Sequence, residues 1–257
     1  MAGLFRNLRH PRHCYVVCAV ARSGSNLLTD ALRATGRAGQ PKQFFSELFQ
    51  SGYGTKYDLD PTRDYASYVR GITNATATSN GVFGFKLMGW SLEAFLASLR
   101  NTGQFSTSNS TDLDVLRSAF PRLQFIRIIR RDQVRQAISK ARAIQTGLWK
   151  LTEGKSAVGE AHFDPDLITQ CLREGEIERT VWDRFFDSFP AAPLMIEYEQ
   201  LSRDYERTVR NVLDFLNITL QRGHKIGEPI TLKQSDTISD EWERRYRTAS
   251  PSAVAVT

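Results

Sequence analysis

The sequence predicts an α/β fold, a mainly parallel sheet flanked by helices on both sides. Three observations point there. Short apolar runs without alternation, at residues 14–20, 82–88, 123–129 and 194–198, suit strands buried on both faces. Stretches with helical spacing separate them, which is the βα alternation of a parallel sheet. A small-residue loop, Arg22-Ser23-Gly24-Ser25, joins the first run to a helical pattern and opens a βαβ unit.

The elements follow in order. Residues 1–13 are basic and aperiodic and read as a mobile arm ahead of one domain at 14–247. After the first strand, Leu27, Leu28, Ala31 and Leu32 fall on one helical face and Gly36 stops the helix. Residues 39–46 form a turn carrying Phe44 and Phe45. Residues 50–80 read as polar loop with a short helix at 65–72. After the second strand, 91–99 is helical, and 101–112 is a Ser/Thr/Asn-rich exposed loop. The third strand leads to Asp132, which caps a long helix to about residue 145. Residues 150–162 are polar, bracketed by Gly147, Gly154 and Gly159, and read as a flexible flap over a substrate. Residues 166–189 are one long amphipathic helix or two. The fourth strand is followed by a helix at 201–216. Beyond Asn217 the chain reads as mostly irregular and charged, with 248–257 a flexible tail.

At 257 residues, one large domain is expected rather than two. The net charge of +6 argues for an anionic ligand but is too small to make nucleic acid the partner. Cys14, Cys18 and Cys171 make an odd count without CxxC spacing, which favours a reducing compartment and hence a cytoplasmic location. A zinc site from His10, His13, Cys14 and Cys18 is disfavoured because both cysteines sit in a buried strand, so no metal is expected. No apolar run is long enough to span a bilayer. The N-terminus imitates a signal peptide, but cleavage after Ala21 would remove the best motif in the chain.

Three segments carry candidate chemistry. The loop at 22–25 offers backbone N–H groups, a helix N-terminus, two hydroxyls and the Arg22 charge to an anion. Its bland counterpart is an ordinary turn with Ser25 as N-cap. There is no GxxxxGK[ST], so lysine-and-magnesium ATP chemistry loses support. In the second segment, at 128–149, a strand ends in Arg130-Arg131 and a helix with Arg135, Ser139 and Arg142 follows. Ligands of parallel sheets gather at such strand ends, although a solvated basic helix face would look the same. In the third, Lys86 interrupts an apolar strand, either lining a pocket or sitting at an edge.

Jointly, RSGSNLL at 22–28, LRATGRAGQPKQFF at 32–45, GFKLM at 84–88, the 128–149 stretch and SDEWERRYR at 239–247 resemble the Stf0-type sulfotransferases. The resemblance spans about residues 14–247 and implies a P-loop-like, sulfotransferase-like α/β fold. It implies a PAPS-dependent enzyme acting on a hydroxyl of a carbohydrate or glycolipid, and a homodimer. Carried over by position, Arg22, Ser23, Gly24, Ser25 and Asn26 bind the 5′-phosphosulfate, and Arg130 and Ser139 the 3′-phosphate. Gln40, Gln43, Phe44, Lys86 and Trp149 are the expected acceptor contacts. PAPS carries about four negative charges near neutral pH, which suits two separated cationic strand ends.

One position departs from the family. The turn that carries its general base, a glutamate, reads Pro41-Lys42-Gln43-Phe44-Phe45 here. Gln43 is neutral and is not a base. Three readings stay open: an engineered Glu→Gln change, another base with Glu47 the nearest candidate, or an acceptor that needs little base assistance. The alternatives to a sulfotransferase are a catalytically silent PAP- or nucleotide-binding protein and a nucleotide-dependent phosphotransferase.

Overall fold

Four parallel strands form the sheet: β1 (His13–Ala19), β2 (Val82–Met88), β3 (Leu123–Ile129) and β4 (Leu194–Glu197), in the order β2-β1-β3-β4. The structure is a computed structural model that describes residues 11–150, 158–189, 192–221, 223–229 and 237–249. Ten helices accompany the strands among these residues. They are α1 (Ser25–Ala34), α2 (Gln50–Tyr57), α3 (Tyr65–Thr76), α4 (Leu92–Asn101), α5 (Asp112–Ala119), α6 (Gln133–Thr146), α7 (Pro165–Asp187), α8 (Tyr198–Arg203), α9 (Tyr205–Phe215) and α10 (Thr237–Ala249). A 3-10 turn, Gly89–Ser91, follows β2.

Successive β1 side chains feed opposite cores, because side chains alternate across a strand. Cys14, Val16 and Cys18 join an aromatic core with Phe83, Phe85, Phe95 and Phe120. Tyr15, Val17 and Ala19 join the other core with Leu28, Leu32, Ile126, Val209 and Val212. Both faces are covered, which is why the strand runs read as apolar without alternation. Two side-chain bonds to backbone fix what surrounds β1. Tyr15 Oη donates to the Ala38 carbonyl at 2.6 Å, and Trp182 Nε1 on α7 donates to the Ala19 carbonyl at 3.0 Å. Residues beyond Ala38 then pass along β2, where Lys86 N donates to the Lys42 carbonyl at 2.9 Å.

Several expectations need correction. In the stretch over 50–80, α2 was not expected, and the short helix expected at 65–72 runs on to Thr76 as α3. The loop expected at 101–112 spans 102–111, but α5, begun by a capping box of Thr111 and Asp114, was not expected after it. The irregular stretch expected beyond Asn217 contains α10. Its buried stripe is only Ser239, Trp242 and Tyr246, and its charges pair with other helices rather than with solvent alone: Arg135 on α6 bonds Asp240 at 2.7 Å and Glu243 at 2.5 Å. Residues 166–189 contain one helix, not two. Of the arm expected at 1–13, residues 1–10 lie outside the described residues and His13 already opens β1; residues 151–157 of the flap and 250–257 of the expected tail also lie outside, and α10 runs to Ala249.

Candidate active site

The strand tips converge on one open cavity of about 1140 Å³, ample for a nucleotide plus a second small molecule. Its floor is the loop after β1. Arg22 (φ 63°) and Gly24 (φ 86°) both take left-handed backbone there, and Gly24 is the N-cap of α1. Ser25 therefore starts the helix instead of capping it, and no side chain caps this N-terminus. Its first N–H groups are left to a ligand, with the helix dipole behind them. Glycine is required at position 24 for a second reason. A Cβ would lie 2.4 Å from Tyr198 Cδ2.

Arg22 turns toward α6. Its Nε donates to Ser139 Oγ at 2.9 Å and its Nη1 to the Trp149 carbonyl. Gln136 Nε2 holds the loop from the same helix by donating to the Ala21 carbonyl at 2.6 Å. Burial, with Arg130 and Arg142 nearby, lowers the Arg22 guanidinium to about 10.

Arg130 and Arg131 divide their roles. Arg131 is engaged by carboxylates, its Nη2 on Glu197 at 2.6 Å and its backbone N–H on Glu199 at 3.2 Å. Arg130 stacks over the Tyr198 ring at 4.6 Å, and its buried Nε has no hydrogen-bond partner among the described residues. Burial lowers its pKa. Arg130 is thus a half-buried cation in the cavity wall, a setting that favours an anion beside it.

Lys86 lies on the outermost strand, β2, yet it is 6% exposed and lines the cavity, so both of its sequence readings hold in part. Its Nζ donates to Asn26 Oδ1 at 2.5 Å. Burial lowers it to about 8; Asp30 opposes that shift, while Lys150 and Arg22 add to it. Asp30 is itself engaged by Arg33 at 3.0 Å and Lys150 at 2.5 Å.

Arg22, Gly24, Ser25 and Asn26 come together in the cavity with Arg130 and Ser139, and Gln43, Lys86 and Trp149 line it too. Four expected residues do not. Ser23 is fully buried, its Oγ without a partner among the described residues. Gln40 is exposed outside the lining, because the chain at this point still runs past β2. Phe44 is fully buried in the aromatic core, 4.8 Å from the Tyr53 ring and 6.2 Å from Phe83. Glu47 points to solvent just past the turn and does not line the cavity. Tyr198, Trp90, Lys140 and Glu178 line it without having been singled out from sequence. Glu178 carried a signal: it interrupts the buried stripe of α7 formed by Cys171, Gly175, Trp182 and Phe185. Among the described residues no group of three or more His, Cys, Asp or Glu could hold a metal.

A parallel α/β sheet brings an uncapped helix N-terminus at one strand tip and a half-buried arginine at another to the same cavity. The model of the Stf0 sulphotransferase family matches residues 14–249. The chain belongs to that family and is a sulfotransferase. It is 32% identical to the trehalose 2-sulfotransferase of Mycobacterium tuberculosis (strain ATCC 35801 / TMC 107 / Erdman), over 92% of this chain and 95% of that one. It is 30% identical to the trehalose 2-sulfotransferase of Mycolicibacterium smegmatis (strain ATCC 700084 / mc(2)155), over 93% and 95%. A solved sulfotransferase domain from the curacin biosynthetic pathway aligns at TM-score 0.49 and 13% identity, covering 95% of this chain and 99% of that one.

Proposed function

We propose that the chain transfers a sulfuryl group from PAPS to a carbohydrate hydroxyl, with trehalose the first acceptor to test. The observation that carries the reading is the pairing of two anion sites in one cavity: the uncapped α1 N-terminus beside Arg22, and Arg130 with its unmet Nε. These residues fit a donor with a 5′-phosphosulfate at one end and a 3′-phosphate at the other. PAPS, when bound, supplies the sulfuryl group and leaves as PAP.

The N–H groups at the start of α1, with Arg22, hold the 5′ end. Arg130 and Ser139 hold the 3′-phosphate. One of the three Lys86 donors is used on Asn26, and the other two meet negative charge building at the bond that breaks. Trp90 and Trp149, both partly exposed at the cavity, offer flat apolar faces to a sugar ring. Gln43 donates or accepts a hydrogen bond at an acceptor hydroxyl without taking its proton.

Incubation with labelled PAPS and a panel of trehalose, other sugars, glycolipids and small alcohols tests this reading. Label should pass to a sugar hydroxyl. PAP binding without transfer to any acceptor overturns it.

A further inference from the structure

Gln43 leaves proton removal unassigned, since a carboxamide has no useful basicity. Glu47 is exposed and outside the cavity. Two carboxylates line it: Glu228, which is exposed, and Glu178 on α7, which is 5% exposed and held inside the fold. Its Oε2 has no hydrogen-bond partner among the described residues. Its nearest cation, Lys140 on α6, is committed elsewhere: Nζ lies 2.7 Å from Glu174 Oε2 but 3.9 Å from Glu178 Oε1.

The position is built rather than incidental. After β2 the chain turns at Gly89, where a Cβ would lie 2.8 Å from the Glu178 carbonyl oxygen and 3.0 Å from its Cβ. Only a residue without a side chain lets β2 and α7 approach this closely. One helical turn further, Trp182 anchors α7 to the tip of β1 through Ala19. Glu178 is thereby fixed near the tips of β1 and β2, in the cavity that also holds Arg22, Lys86 and Trp90.

Building on the sulfuryl-transfer reading, we propose that Glu178 is the general base of this enzyme, acting where the family's usual carboxylate is absent. The Glu178 carboxylate takes the proton of the acceptor hydroxyl as that oxygen bonds to sulfur. The bond from sulfur to the bridging phosphate oxygen breaks, and its electron pair leaves with PAP. Burial, the largest effect, and the Glu174 charge raise the carboxyl to about 7, against Lys140, the Trp90 backbone amide and Arg179. A base in that range is matched to neutral pH.

The test compares the unmodified enzyme with Glu178→Gln, and that variant with Glu178→Gln plus Gln43→Glu. Transfer from labelled PAPS to the acceptor found by the panel is measured alongside PAP calorimetry. Glu178→Gln should lower kcat by about 10²–10⁴-fold with PAP affinity unchanged, which also shows that it folds. Gln43→Glu in that background should restore part of the turnover. Infrared titration of the unmodified protein should show a protonated carboxyl band that disappears with a midpoint near 7 and is missing in Glu178→Gln. Full turnover in Glu178→Gln, or a larger loss in Glu47→Gln, overturns the base assignment and leaves sulfuryl transfer standing. An unmodified enzyme that moves no label overturns both.

Discussion

Arg22 and Ser139 are 117 residues apart in sequence and joined by a 2.9 Å bond, with the guanidinium Nε donating and the hydroxyl oxygen accepting. The bond ties the loop after β1 to the middle of α6. It links the two halves of the anion site, and it leaves the serine proton free to point at a ligand oxygen.

Ser139→Ala removes that shared hydroxyl. PAP affinity should fall by roughly 1.5–3 kcal/mol, the usual worth of a bond to a charged group, with little change in melting temperature. Calorimetry with PAP and a thermal melt check this. Unchanged PAP affinity would show that Ser139 only positions Arg22.

Arg130 should be the source of any preference for PAP over AMP. Arg130→Ala should remove most of that preference, a loss of roughly 1.5–3 kcal/mol. Arg131→Ala should leave it in place, because Arg131 is held by Glu197 and Glu199. Equal affinity of the unmodified protein for PAP and AMP would sink the assignment.

The strands were the most legible part of this fold. β2 and β3 begin and end at the residues their apolar runs predict, because a parallel strand covered on both faces has no polar side to blur the signal. That Arg22 and Arg130 line the cavity was readable too, since each closely follows a buried strand at its C-terminal tip. Phe44 was not readable. Adjacent aromatics in a turn give no period, and here Phe44 and Phe45 both enter the core above β2. The role of α10 was hidden as well, since its fit depends on Arg135 and Arg142, about a hundred residues earlier. Glu178 was legible in principle, as a lone carboxylate on the apolar stripe of a long helix.

Gly24→Ala should damage both stability and binding. Left-handed backbone costs a residue with a Cβ roughly 1–2 kcal/mol, a fall of about 2–8 °C in melting temperature for a chain of this size. The new methyl also meets the Tyr198 ring, which must move, and Arg130 stacked on that ring moves with it. PAP affinity should therefore fall together with Tm. A melt and a PAP titration that both match the unmodified protein would contradict the loop geometry.

Lys86 should make donor binding depend on pH above neutrality. Burial lowers its pKa to about 8 from an ordinary 10.5. In the free protein the proton leaves as pH rises through 8, whereas an anion beside Nζ holds it on. PAP binding should then take up a proton at about pH 8.5, and affinity should fall as pH rises. The stability effect has the opposite sign. Between the folded and unfolded pKa values the unfolded chain binds more protons, so this group's contribution to stability rises with pH across that window. Below 8 the buried charge is a standing cost, offset in part by Asn26 and Asp30. Lys86→Met should therefore hold or raise Tm at neutral pH while weakening PAP binding. It should also abolish the proton uptake, read by calorimetry in two buffers of different ionisation enthalpy. Uptake that persists in Lys86→Met would assign the titration to another group.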